Sequence, residues 1–165
     1  MPRDSRSGST NVNSNAEVWK PRVTVAAICE KDKKFLLVAE RIDGKVVLNQ
    51  PAGHLDAGES LEQAVVRETL EETAFDFTPS RLVGVYRYTP QPDSAECFLR
   101  FAFSGSVGEC HQRPLDDEII STEWMSVDEI RQSHHMHRSP MVLQCVLDYL
   151  QKPSYPLQVF SSDFL

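Results

Sequence analysis

Three glutamates, Glu68, Glu71 and Glu72, stand at i, i+3 and i+4 of the clearest helical pattern in the chain. Ser60 followed by Gln63 has the form of a capping box, so the helix is expected to open there and run to about Thr73. Positions three and four apart share a helix face, which brings the glutamates together. At roughly 100° per residue, Leu61, Ala64 and Val65 point the same way as Glu68 and Glu72. One stripe therefore begins apolar and ends in carboxylates. Exposed like charges one turn apart cost about 0.2–0.5 kcal/mol, and burial raises that cost well beyond this unless a cation compensates. The glutamates thus continue a face that begins by packing inward. A hard divalent ion with carboxylate and carbonyl ligands resolves the conflict, and Mg²⁺ is the usual one beside phosphates.

The flanking segments supply a sheet for that helix. Val23 to Cys29 and Phe35 to Ala39 are apolar runs separated by the charged stretch Glu30–Lys34, the pattern of a hairpin. Asp43-Gly44 marks a turn before a short strand at Val46–Leu48. Further strands are expected at Leu82–Tyr88, Phe98–Phe103 and Ile120–Met125. A short helix around Val127–Arg131 and a longer one from Pro140 to about Leu150 close the pattern, the latter with Val142, Cys145, Val146 and Tyr149 as its stripe. The order implies a mixed α/β sandwich of the α+β type, with helices on a sheet core.

At 165 residues, 41% hydrophobic and 25% charged, the chain has the length and composition of one globular domain with a continuous core. Met1–Lys20 is rich in Ser, Asn and Arg and reads as a flexible tail, leaving one domain over residues 21–165. A net charge of −7 argues against nucleic acid as a partner, yet it admits a small phosphate ligand if a divalent cation screens the carboxylates. Cys29, Cys97, Cys110 and Cys145 show no metal-type spacing and are expected to be small buried hydrophobes in a reducing compartment. No apolar run reaches the ~20 residues needed to span a bilayer, and Met1–Lys20 has no signal-peptide core. The expectation is a soluble cytoplasmic protein with no membrane partner, as a monomer or homodimer.

A glutamate trio alone is most often a solvated acidic face. Here Gly53, Glu59, Arg67, Glu68, Glu71 and Glu72 follow the spacing Gly-x5-Glu-x7-Arg-Glu-x2-Glu-Glu, which resembles the Nudix box in its leading glycine and in every charged position. Thr69 and Ala74 depart from the family pattern, at an aliphatic and a glycine position; Ala74 implies a slightly different helix exit. The likeness extends to Val23–Ala26, Asn49–Leu55, Phe98–Phe101 and Arg138–Pro140, where the chain resembles bacterial Nudix phosphatases of the NudJ type.

The resemblance implies an α/β/α sandwich around a mixed sheet and Mg²⁺-dependent hydrolysis of a phosphoanhydride bond, with Mn²⁺ as a substitute ion. The substrates it implies are nucleoside tri- or diphosphates or thiamine-pathway pyrophosphates. Glu68, Glu71 and Glu72 would hold the metal with the main-chain carbonyl of Ala52 or Gly53, while Arg67 and Glu59 orient those carboxylates. Glu118, in Asp116-Asp117-Glu118, resembles the extra acid that such enzymes take from outside the box. His54, Arg100 and Arg138 are candidate substrate contacts, guanidinium groups being well matched to phosphate oxygens. Substrate choice is expected to lie outside the box, near Tyr86–Asp93 and in the final helix. The spacing of His134, His135 and His137 suits a polar loop rather than a zinc site, and Trp124 suits the core. The competing reading is a non-catalytic nucleotide-binding regulatory module on the same fold, which has no need of the full carboxylate set.

Overall fold

The computed structural model describes residues 18–161. The expected hairpin is formed by β1 (Arg22–Lys31) and β2 (Lys34–Ile42), turning through Asp32 and Lys33 at φ of 51° and 62°. The two strands pair only at the hairpin mouth, Glu30 with Phe35 and Lys31 with Lys34, and then part into separate sheets. β2 lies between β3 (Lys45–Asn49) and β7 (Ile119–Ser126), antiparallel to both. β1 lies between β4 (Ala52–His54) and β6 (Phe98–Cys110); β5 (Phe75–Tyr88) and the two-residue β8 (Tyr155–Pro156) continue that sheet outward. Among the described strands the β1–β6 pair is parallel and the other strand pairs are antiparallel.

Helices cover both faces of the larger sheet. Ala64 and Val65 of α1 (Leu61–Thr73) pack in one cluster with Val25, Ala27 and Cys29 of β1. Val142, Cys145 and Val146 of α3 (Met141–Gln151), with Ile130 of α2 (Val127–Gln132), pack against Ile28, Val83 and Ala102 on the other face. Burial on both faces explains why β1 is a continuous apolar run instead of an alternating one. The architecture is the expected α/β/α sandwich around a mixed sheet.

The capping box that opens α1 forms as expected: Gln63 N–H donates to Ser60 Oγ at 3.1 Å, and Ser60 N–H donates to Gln63 Oε1 at 2.8 Å. The helix exit corrects the expectation for Ala74. It adopts the left-handed conformation (φ 60°, ψ 9°) and donates its N–H to Leu70 O, the geometry a glycine there would take. The strands also differ. β5 starts at Phe75 instead of Leu82, β6 runs on to Cys110, and β4 and β8 are additional. Of the expected tail, residues 1–17 lie outside the described residues; Trp19 donates its indole N–H to Ala95 O at 3.2 Å. Cys29, Cys97 and Cys145 are buried free thiols, whereas Cys110 is exposed, at the strand end. Trp124 is half-buried, edge-on to Phe75. Among the described residues, no helix is long and apolar enough to cross a membrane.

Candidate active site

β4 positions the acidic end of α1. Hydrogen bonds from Leu55 N–H to Val23 O and from Ala27 N–H to Pro51 O bracket the Val25–Gly53 pair. By the alternation of an antiparallel ladder, Gly53 exchanges its backbone bonds with Val25, while Ala52 and His54 turn theirs outward. The outward groups are met by α1: Ala52 N–H donates to Glu72 Oε2 at 2.8 Å, and His54 O accepts from Arg67 Nη2 at 2.9 Å. The missing side chain of Gly53 is also required. An added Cβ would overlap all three atoms of the Glu68 carboxyl group.

Arg67 is the hub of this arrangement. Its Nε and Nη2 fork onto Glu59 at 3.1 and 2.6 Å, and its Nη1 reaches Glu68 at 2.8 Å and Glu71 at 3.1 Å. Glu59 also accepts the Asp56 N–H at 2.8 Å, closing the loop before the helix. The guanidinium holds the Glu59 carboxyl below the usual carboxylate range, and Arg67 itself is held more firmly protonated by Glu59. The expected inward stripe forms in part: Glu68 and Glu72 are buried, and Glu71 is half-buried. Burial raises the Glu68 carboxyl against the opposing pull of Arg67. Burial pushes Glu72 up to about 9, the Ala52 N–H opposing and the charges of Glu40, Glu68 and Asp116 adding to the rise.

Glu68 and Glu72 open into a cavity of about 490 Å³ that is also lined by Glu40, Asp116, Glu118, His54, Arg100 and Arg138. The sequence-derived candidates outside the box thus reach one place. Arg100, a candidate substrate contact, is buried. It is 6% exposed, with Nη1 shared between Asn49 Oδ1 and Gln50 Oε1, each at 3.3 Å. Arg138 is exposed and lies 3.5 Å from Glu40 Oε2. His54 lines the cavity, though the contact it makes to the box is through its backbone. His134 and His135 are exposed on a 3-10 turn away from this cavity, and the His137 ring meets Ile130 O at 2.9 Å.

Two acids escaped the sequence reading. Glu40 ends the apolar run of β2 and is buried, and Asp116 lies near enough to raise both Glu68 and Glu72. A carboxylate closing the five-residue apolar run Phe35–Ala39 was the available signal for Glu40.

Among the described residues, four buried side-chain polar atoms lack a hydrogen-bond partner: Thr24 Oγ1, Glu40 Oε1, Arg100 Nε and Ser139 Oγ. All four residues line the same cavity. Unpaired buried polar atoms are rare and call for a partner; here they gather where a polar ligand would satisfy them together. Among the described residues, no three acid, His or Cys side chains are yet drawn close enough to hold one metal ion. Arg67 engages Glu68 and Glu71, and Ala52 N–H engages Glu72. The donor set nevertheless fits a hard cation: buried carboxylates raised by burial, one of them cradled against Gly53, and a carbonyl at Ala52 turned out of the ladder.

Residues 19–145 match the NUDIX domain family. The chain belongs to the Nudix hydrolase family. Over 143 residues this Nudix hydrolase is 38% identical to phosphatase NudJ of Escherichia coli K12, a match covering 86% of this chain and 92% of that one. Among solved structures it is similar to a NUDIX hydrolase from Nitrosomonas europaea, at 48% identity and a TM-score of 0.82, with 86% and 97% of the two chains covered. An ADP-ribose pyrophosphatase from Streptococcus suis shares the fold at a TM-score of 0.63 and 18% identity, over 82% and 96% of the chains.

Proposed function

We propose that this Nudix hydrolase uses Mg²⁺, with Mn²⁺ able to replace it, to cleave a phosphoanhydride bond in a nucleoside di- or triphosphate or a thiamine-pathway pyrophosphate. The observation that carries this reading is the convergence of Glu68, Glu72, Arg100 and the four partnerless buried polar atoms on one cavity. An acid set and a buried guanidinium in one space suit a polyanion that arrives with a divalent cation. The 38% identity to a phosphatase over most of the chain supports it.

In this account Glu68, Glu71 and Glu72 hold the cation with a main-chain carbonyl. Ala52 is the better donor, because the Gly53 carbonyl is committed to Val25 by the ladder. When bound, the cation would screen the phosphate charge and lower the pKa of a water. Arg67 and Glu59 keep the carboxylates oriented, and a change at either acts through those acids. Arg100 and Arg138 bind the non-bridging phosphate oxygens, with His54 as a further substrate contact. Water oxygen bonds to phosphorus, the bridging P–O bond breaks, and the water proton passes to a carboxylate, which we assign to Glu118. There is little covalent work for the protein, so orientation and charge compensation supply most of the rate.

The test is turnover on a panel of nucleoside di- and triphosphates and thiamine diphosphate, in Mg²⁺ and in chelator, with orthophosphate and pyrophosphate followed separately. Metal-dependent release of either product is expected on at least one compound. No metal-dependent turnover on any of them would overturn the proposal.

A further inference from the structure

Outside the Nudix box, the most unusual side chain in the molecule is Glu40. It is 7% exposed, and its Oε1 has no partner among the described residues. Its other oxygen lies 3.5 Å from an Arg138 guanidinium whose own side chain is 40% exposed. That contact is long for a charge-assisted hydrogen bond and leaves the carboxylate under-compensated. The strand delivers Glu40 to this position by an irregularity. The β2–β7 register shifts between Ala39 and Glu40, and such bulges re-aim a side chain at the end of regular pairing. Arg41 N–H, donating to Glu118 O at 2.9 Å, pins the strand just beyond it.

Glu40 has charged neighbours of both signs, Arg138 and Arg100 opposing the effect of burial on its carboxyl and Glu118 adding to it. It is the foremost charged group acting on Glu72, ahead of Glu68, and Glu118 acts on it in turn. Glu40, Glu72, Asp116 and Glu118 line both the 490 Å³ cavity and a second one of about 530 Å³, so they stand at the junction of the two. Two buried carboxylates lining the same two cavities, one of them with a partnerless oxygen and only a long 3.5 Å contact to Arg138, are costly unless an ion joins them. Mg²⁺ is commonly held by one or two carboxylates, several waters and the substrate phosphates. A Glu40–Glu72 pair meets that demand without needing a third acid.

We propose that Glu40 is a further ligand of this site, binding a divalent cation jointly with Glu72 at the junction of the two cavities. The inference rests on the metal-dependent reading above and extends the ligand set beyond the box. Its rival is a purely positioning role, in which Glu40 only steers Arg138.

The experiment is Mn²⁺ titration of the full chain followed by the electron paramagnetic resonance signal of free Mn²⁺, for wild type, Glu40→Gln and Arg138→Gln, with melting in chelator alongside. Glu40→Gln should weaken Mn²⁺ binding at least tenfold or remove one ion per chain. It should melt in chelator no lower than wild type, since a costly buried charge has been removed. Arg138→Gln should leave Mn²⁺ binding within twofold. If Glu40→Gln binds Mn²⁺ as wild type does, or if Arg138→Gln reproduces its loss, Glu40 is not a ligand. Should Glu40→Gln fail to fold, Glu40→Asp keeps the charge on a shorter arm, and wild-type affinity in that variant would overturn the inference equally. Failure of the underlying reading looks different: wild type itself would bind no Mn²⁺ and show no metal-dependent turnover.

Discussion

Replacing Gly53 by alanine isolates one steric contact from everything else the box does. Gly53 is a β4 residue paired with Val25, and it is not among the residues at positive φ, so alanine fits the backbone without strain. The effect must come through space. The new methyl would overlap the Glu68 carboxyl carbon and both its oxygens. Unstrained heavy-atom contacts begin near 3.5 Å, so the carboxylate must retreat by roughly 1 Å or more. That retreat also strains its 2.8 Å contact with Arg67 Nη1. Because the displaced atoms are the tip of a flexible side chain, the fold should lose less than about 1 kcal/mol. A shift of this size at a reacting centre costs on the order of 10²-fold in rate, equivalent to about 2.7 kcal/mol of transition-state stabilisation. Steady-state hydrolysis at saturating Mg²⁺, with circular-dichroism melting of the same samples, reads both quantities. The expected pattern is a hundredfold loss of kcat with a nearly unchanged Tm. Adding Glu68→Asp should recover part of the loss by withdrawing the carboxylate one methylene. A folded Gly53→Ala enzyme with kcat within threefold of wild type would refute the argument.

Arg67→Gln removes the fork that holds Glu59, Glu68 and Glu71, and kcat/KM should fall about 10–100-fold, as losses of groups supporting metal ligands do; Arg67→Lys should recover little, because an ammonium has no fork. Ala74→Gly relieves a left-handed alanine and should stabilise the protein by roughly 0.5–1 kcal/mol, a Tm gain of about 1–4 °C for a chain of this length; an unchanged or lower Tm would contradict the strain at this exit. Burial raises the Glu72 carboxyl from the ordinary 4.5 to about 9 in the cation-free protein. Between those values the folded chain holds a proton that the unfolded chain has lost, so this contribution to stability is full below about pH 4.5 and lost as pH rises towards 9. Melting in chelator should therefore decline over that window, and saturating Mg²⁺ should flatten the decline because the cation favours the ionised acid. Equal slopes with and without Mg²⁺ would count against Glu72 as a ligand.

Much of this molecule was legible in its residues because several local signals agree. The capping box, the apolar stripe of Leu61, Ala64 and Val65, and the box spacing all point to one helix in one orientation. The β1–β2 hairpin was legible because a charged turn interrupts two apolar runs. The long strands were harder. β5 shifts register three times against β6, and Pro79 and Ser80 break the alternation that marks a strand. The far half of β6, with Gly105 and Gly108, has the composition of a turn. Gly105 is nevertheless in the sheet, and its missing side chain leaves room for the backbone of Thr78. The three-residue β4 has no periodicity to read and is defined by its ladder with β1. At the site, the box residues were found because their chemistry is spaced in sequence. Glu40 and Asp116 were not, because their proximity to Glu72 arises only when β2 and the loop before β7 fold together. Arg100 was named as a phosphate contact, but its burial depends on a neighbour relation among Asn49, Gln50 and Arg100 that spans about half a hundred residues.

In the proposed function, the acidic end of α1 and the edge of β4 hold a divalent cation for phosphoanhydride hydrolysis. Diffraction from Mn²⁺-soaked crystals at the manganese absorption edge tests it most directly. An anomalous peak is expected in the cavity beside Glu72, with oxygens of Glu72, Glu68 and the Ala52 carbonyl at about 2.1 Å, the spacing of small hard divalent ions. A well-diffracting crystal with no peak there, or with its strongest peak at the exposed His134–His135 turn, would contradict it.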